Sequence, residues 1–280
     1  MFQYSVGRCL AEMHKTELKL DVTGFEKYRL RSYDLGAFQI QEQFATPAEI
    51  SSFAGPARRF VERFWPRLGL PRSYTQQRYV KEVALSFDQN ILRLSDNVYL
   101  EGYWQSEKYF CDIADTIRKE FTVMEPLRDK NQEISDLMGS CESVSLHVRR
   151  GDYVADTKTN QHHGLCGLDY YVRCAAAISE RTVAPHFFIF TDDPVWVREH
   201  LKLPFPMTFV DHNGPTYAYE DMRLMSKCKY HIIANSSFSW WGAWLNSNTE
   251  NIVYAPQRWF ASGKVQCNTE DIVPCGWIRM

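Results

Sequence analysis

The chain lacks most of the features that assign a protein to a class at sight. No Cys-x-x-Cys pair occurs among Cys9, Cys111, Cys141, Cys166, Cys174, Cys228, Cys267 and Cys275, which argues against a zinc ribbon. No long basic run occurs and the formal net charge is −2, so nothing resembles the electrostatic footprint of a nucleic-acid binder, and any phosphate recognition has to be local. No apolar run reaches the roughly 20 residues that a membrane helix needs. Internal repeats and low-complexity tracts are absent. Acidic and histidine residues form no convincing cluster at metal-ligand spacing, so no metal or other cofactor is expected from a motif of that kind. No leader-like segment precedes the cysteines, so they read as reduced thiols of a cytoplasmic protein. Peripheral contact with the cytosolic face of a membrane has no sequence support but is compatible with this reading.

What is present is a core-forming composition. Hydrophobic residues make up 45% of 280 residues, enough for one large domain or two smaller ones. The first half is weakly patterned. Helical spacing of Phe2, Val6, Leu10 and Met13 predicts an amphipathic helix over 1–13, and alternation predicts a strand over 18–22. Short helices are expected over 48–53 and 57–65. A strand is expected near 79–80, and another at 98–104 running into a loop. Ser106 is placed to cap a helix over 107–121, and a further helix is expected over 129–138. A composition shift at 139–143 marks a candidate domain boundary. Beyond it, strands near 143–148, 186–191, 207–211, 230–234 and 251–254 alternate with helices near 168–180, 194–202, 219–228 and 237–245. That alternation predicts an α/β fold with a doubly wound parallel sheet.

The segment Ser143-Val144-Ser145-Leu146-His147-Val148-Arg149-Arg150-Gly151-Asp152-Tyr153 organises the rest. Its first half is an apolar, partly alternating strand, and its second half is abruptly charged. Open α/β sheets bind ligands beyond the carboxyl ends of their strands. Guanidinium forks match phosphate oxygens bidentately, and Gly151 permits a sharp turn close to a ligand. For two arginines alone, a solvated salt-bridge pair at a strand end is the favoured reading. Two other strand ends carry comparable chemistry. One is Thr191-Asp192-Asp193-Pro194, where either aspartate could cap the next helix. The other is Asn235-Ser236-Ser237-Phe238-Ser239-Trp240-Trp241, which delivers hydroxyls to a helix start, either as a ready anion site or as a simple cap. Asp221 lies in the helix before that strand.

Taken together these motifs resemble the α-1,2-fucosyltransferases of glycosyltransferase family 11. The resemblance rests on His147 through Tyr153, on Thr191-Asp192-Asp193, on Asn235 through Leu245 and, more weakly, on Gly102-Tyr103-Trp104-Gln105-Ser106 and the opening Met1-Phe2-Gln3-Tyr4. It implies a GT-B-like enzyme of two Rossmann-like domains, an acceptor-side domain over 1–139 and a donor-binding domain over 140–280. It also implies an inverting, metal-independent transfer of L-fucose from GDP-fucose to the 2-hydroxyl of a galactose-terminated glycan. By the same resemblance Arg149 holds the β-phosphate of the leaving GDP, and His147 and Asp221 contact the guanosine. Ser236 and Ser237 hold phosphate, and Asp192 belongs to the donor site. Arg150 orients that site or pairs with Asp152, itself a candidate for the proton-accepting base. Tyr103, Trp104 and Gln105 are weaker candidates for the acceptor side, with core packing the more natural role for Trp104. Family members carry an apolar strand and a Gly-Gly-Leu-Gly-Asn-Gln loop ahead of the opening segment. The sequence therefore predicts a first domain without its first strand, and a non-catalytic GDP-sugar-binding protein is the alternative to an active enzyme.

Overall fold

The computed structural model describes residues 1–25, 32–54, 78–151, 164–248, 250–261 and 269–280. The chain divides into two compact units, Met1–Phe121 with Cys267–Ile272, and Thr122–Gln266 with Val273–Met280.

The first unit begins with α1, Phe2–His14, whose Phe2, Tyr4, Val6, Cys9, Leu10 and Ala11 are buried as the 3.6-residue spacing predicts. Tyr4 donates its hydroxyl to Glu120 Oε2 (2.6 Å) and Arg8 Nε pairs with Glu120 Oε1 (2.9 Å), so the buried carboxylate is fully engaged. Helix α2 is Pro47–Ala54. The helix expected over 57–65 lies outside the described residues. The strand expected over 18–22 is reduced to one bridge between Leu20 and Phe44. Strands β1, Tyr79–Lys81, and β2, Tyr99–Glu101, pair in parallel with Tyr79 opposite Tyr99. Ser106 caps as expected, accepting from the Lys108 N–H, but the helix it starts is not continuous. Two 3-10 turns, Glu107–Tyr109 and Cys111–Ile113, precede α3, Ala114–Glu120. The break lies at Phe110, with φ −146 and ψ 15. Tyr109 packs on Trp104 and Phe87, and Phe110 on Phe2, so burying both consecutive aromatics overrides helix propensity.

The second unit starts with α4, Asp129–Gly139, which packs on β3 and therefore belongs here. Strands β3 (Glu142–Val148), β4 (Pro185–Thr191), β5 (Met207–Val210), β6 (Tyr230–Ile232), β7 (Ile252–Ala255) and β8 (Ile278–Arg279) form one sheet. Their order is β5-β4-β3-β6-β7-β8 and every pairing is parallel. Helices α5 (Leu168–Ser179), α6 (Pro194–His200), α7 (Ala218–Met225) and α8 (Ser237–Trp244) supply the crossovers. This is the doubly wound order, reversing direction between β3 and β6. The sequence missed only the two-residue β8, too short to show a period.

Strand β3 is buried on both faces, which explains its imperfect alternation. Val144, Leu146 and Val148 join Tyr170, Tyr171, Cys174, Ala175 and Ile178 of α5 and Val197 of α6 in one cluster. Each of the Val, Leu and Ile side chains among them stabilises by about 1.5–3 kcal/mol on full burial. The opposite face carries Ser143, Ser145 and His147, all buried. Ser145 bonds His231 Nδ1 (2.8 Å), and His231 Nε2 meets Asn246 (2.7 Å), so the Ser145–His231–Asn246 part of this layer is satisfied internally. Burial lowers the His231 pKa to about 3, which keeps the ring neutral. No helix among the described residues is long and apolar enough to cross a membrane. Every described cysteine is free.

Candidate functional site

The strand order reverses between β3 and β6, the place where open α/β sheets form a crevice beyond their carboxyl ends, and Arg149, Arg150 and Gly151 follow the end of β3 there. His147, one residue before the end of β3, is buried, and its ring lies 5.5 Å from that of Phe238 in the first turn of α8. That contact brings the end of β3 to the start of α8. Burial is the main cause that lowers the His147 pKa to about 4. The nearby Asp192 charge opposes this shift and Arg149 adds to it. The imidazole is therefore neutral at physiological pH, and its Nδ1 has no hydrogen-bond partner within the described protein. A buried orphan of this kind marks a position where a ligand can complete the bonding.

Arg149 Nη1 pairs with Asp192 Oδ2 at 2.9 Å. The Arg150 N–H donates to Asp192 Oδ1 (2.8 Å), its Nε lies 3.4 Å from Asp193 Oδ2, and its guanidinium stacks 3.4 Å over the Trp196 ring. Gly151 is needed here for space. A Cβ at that position would meet Asp192 Oδ2 at 2.7 Å. The two aspartates of the β4 end thus divide their work. Asp192 clamps the Arg149-Arg150-Gly151 turn, while Asp193 caps α6 by accepting from the Trp196 N–H (3.3 Å) and holds Arg150. Asp192, expected at the donor site, engages the arginine turn through both oxygens, because the parallel register sets Val148 beside Thr191 and aligns the two strand ends. Arg150 pairs with Asp193. Asp152 lies outside the described residues. Trp196 was missed, since a tryptophan in the first turn of a short helix reads as core until its neighbour is known to be a guanidinium.

At the other side of the crevice, Ser236 stands at the N-cap of α8 in extended conformation (φ −139, ψ 129) without a side-chain capping bond. Ser236 is buried and Ser237 is exposed. The simple-cap reading of Ser236 therefore does not hold, and its hydroxyl and the first N–H groups of an eight-residue helix remain available to an anion. Asn235 has a structural task. Its Nδ2 donates to Gly164 O (3.3 Å) and Trp259 O (3.2 Å), tying loops to the end of β6. Trp240, Trp241 and Trp244 of α8 pack on one another, and Trp240 also packs on Trp277. A Cβ on Gly242 would meet Met225 Cβ at 3.0 Å, so α7 and α8 approach closely.

Asp221 sits in the first turn of α7, and burial is the main cause that raises its pKa to about 6. Its Oδ1 accepts from Asn213 Nδ2 (2.7 Å), and this bond opposes the rise. Beside it a cleft of about 320 Å³ is lined by Arg128, Asn131, His212, Asn213, Tyr217 and Tyr219 among others. The cleft was not foreseen, because it is built from the loop after β5 and the first turn of α4.

In the first unit, Trp104 is buried and Tyr103 is 67% exposed, while Gln105 is half-buried. Glu82 accepts from the Tyr103 N–H (2.7 Å) and the Trp104 N–H (3.0 Å), and a Cβ on Gly102 would collide with Glu82 Cβ. Trp104 has φ 55, a left-handed backbone that is costly for a bulky residue, and its buried Nε1 has no partner. Core packing is thus the role observed for Trp104.

Comparison with known proteins is consistent with this geometry. The chain is 34% identical to an α-1,2-colitosyltransferase of Escherichia coli over all of this chain and 94% of that protein. It is 29% identical to the O-antigen biosynthesis glycosyltransferase WbnK of Escherichia coli, again over the whole chain and 96% of the relative. Human galactoside α-(1,2)-fucosyltransferase 1 matches at 26% identity over 52% of this chain and 42% of its own length. The model of Glycosyl transferase family 11 matches residues 63–280, and the chain belongs to that glycosyltransferase family.

Proposed function

We propose that this glycosyltransferase moves L-fucose from GDP-fucose to the 2-hydroxyl of a terminal β-galactoside, in an α-1,2 linkage, during glycan assembly in the cytoplasm. The observation that carries the reading is the reversal of strand order between β3 and β6, where Arg149 and Arg150 follow one strand and Ser236 and Ser237 start the helix after the other. In a GT-B-like arrangement the second unit is the nucleotide-binding half.

In this mechanism the acceptor 2-hydroxyl attacks C1 of the fucose. The C1–O bond to the β-phosphate breaks with inversion, and GDP leaves with the electron pair. Arg149 meets the growing phosphate charge with a planar fork whose orientation is fixed in advance by Asp192. Ser236, Ser237 and the α8 N-terminus add neutral donors, favoured by the helix dipole. The acceptor proton passes to a carboxylate, for which Asp152 is the candidate. His147, neutral and with Nδ1 unpartnered, and Asp221, with a carboxylate able to accept from guanine N–H groups, read the nucleoside. Arginines and helix dipoles supply the charge stabilisation, so the reaction runs without a divalent metal or cofactor.

A second reading, a colitose donor, is favoured by the 34% identity to an α-1,2-colitosyltransferase across the whole chain. The test is to incubate the purified chain with a β-galactoside and GDP-fucose or GDP-colitose, in parallel with UDP-sugars. An α-1,2-linked product from a GDP-sugar, identified by nuclear magnetic resonance, is expected. Transfer from UDP-sugars at equal rate would overturn the donor assignment.

A further inference from the structure

The sharp turn after β5 carries more polar order than a connecting loop requires. Gly214 has φ 65, and Pro215 opens the 3-10 turn Pro215–Tyr217 that leads directly into α7. This geometry fixes the preceding residue, Asn213. Its Oδ1 accepts from Asn131 Nδ2 (2.8 Å), and its Nδ2 donates to Asn131 Oδ1 (3.0 Å) and to Asp221 Oδ1 (2.7 Å). Asn131 lies in the first turn of α4, and its Oδ1 also meets His212 Nε2 (2.8 Å). The assignments are mutually consistent. The amide pair is reciprocal, His212 Nε2 is the donor, and each oxygen faces a donor. The Asn213 amide, itself held by Asn131 from another element, thus donates to one carboxylate oxygen of Asp221, and no hydrogen bond among the described residues reaches the other.

We infer that Asn213, braced by Asn131, is a positioning residue that aims the Asp221 carboxylate at the base of a nucleoside-diphosphate donor. This inference rests on the donor reading given above. A buried carboxylate could satisfy itself by rotating toward any nearby donor. Here the Asn213 amide fixes Oδ1, so Oδ2 is presented in one direction. The groups facing Asp221 push its charge in different directions. Glu220 on its own helix and Asp211 after β5 oppose ionisation, although Glu220 is paired with Arg223 and Asp211 with Arg198. His212 and Lys130 lie along the cleft wall, and burial lowers the His212 pKa. The Asn213 amide lowers the Asp221 pKa by hydrogen bonding to its charged form. Its removal therefore has two effects, a loosened carboxylate and a higher pKa.

The experiment is calorimetric titration of the full chain with GDP at pH 6.5 and 8.5, for wild type, Asn213→Ala, Asp221→Ala and the double variant. The ratio of variant to wild-type affinity is read, which cancels the titration of GDP itself. Asn213→Ala is expected to weaken binding about threefold more at pH 6.5 than at pH 8.5, because losing the amide bond raises a pKa that already lies near 6. In the Asp221→Ala background it is expected to have no further effect. Equal loss at both pH values, or no loss, with Asp221→Ala still weakened, would overturn the positioning role and leave the donor reading standing. If Asp221→Ala binds GDP as wild type does, the base assignment fails and the role of Asn213 falls with it. Circular dichroism of each variant separates these outcomes from misfolding.

Discussion

The turns after β3 and after β2 use the same device for different ends. In each, a carboxylate on the neighbouring strand or its end accepts backbone N–H groups, and a glycine makes room for it. Asp192 holds the Arg150 N–H beside Gly151, and Glu82 holds the Tyr103 and Trp104 N–H groups beside Gly102. The difference is the cation. Asp192 is paired with Arg149, so its clamp also sets a charged fork. Burial raises the Glu82 pKa, and only the two backbone bonds oppose that shift. One turn is an electrostatic tool, and the other is a shape that holds an exposed tyrosine next to a strained tryptophan.

The largest effect that would break this comparison is on the charged turn. Arg149→Lys keeps the charge but removes the fork, and turnover is expected to fall about a hundredfold, roughly 3 kcal/mol of barrier. A near wild-type rate in a variant with unchanged circular dichroism would remove Arg149 from the mechanism.

The glycines come next. A Cβ at Gly102 would strike Glu82 Cβ, which cannot rotate away, whereas one at Gly151 meets the movable carboxylate of Asp192. Gly102→Ala is therefore expected to lose about 1–3 kcal/mol of stability. Gly151→Ala is expected to lose less stability and more activity, because its relief comes from displacing the clamp on Arg149. Thermal melting and transfer rates of both variants check the order, and the reverse order would refute it.

Titration gives smaller effects. The folded pKa of Asp221 is raised from 3.8 to about 6, so the folded state binds this proton more tightly than the unfolded chain does. The stability it contributes is complete below pH 3.8 and is lost as pH rises through about 6. Asp221→Asn is accordingly expected to raise the melting temperature at pH 8, by at most the equivalent of about 3 kcal/mol and less as far as water reaches the group. The gain should vanish below pH 4. Melting curves at the two pH values test the sign, and GDP affinity should fall in the same variant. The smallest expected effect is none at all. Transfer should continue in EDTA, and full loss restored by manganese would mean that a metal, not the arginine turn, carries the leaving-group charge.

Much of the second unit was legible in the residues because its periods are clean. Long apolar strands ending in charged or hydroxyl clusters showed where the sheet stops, and the parallel pairing of β3 with β6 and the contact of His147 with Phe238 bring the end of β3 to the start of α8. The first unit was less legible. Its strands are three residues long, and consecutive buried aromatics at 109–110 outweighed the helix that Ser106 begins.

By itself the sequence determined the alternation of strands and helices, the burial of β3 and the chemistry at its end, because these depend on local period and residue type. Tertiary structure alone decided which carboxylate serves which partner. Asp192 and Asp193 are adjacent in sequence, yet strand register sends one to the Arg149 turn and the other to a helix cap. Asn131 and Asn213 carry no signal in sequence, since an amide pair 82 residues apart exists only once α4 and the β5 loop are packed side by side.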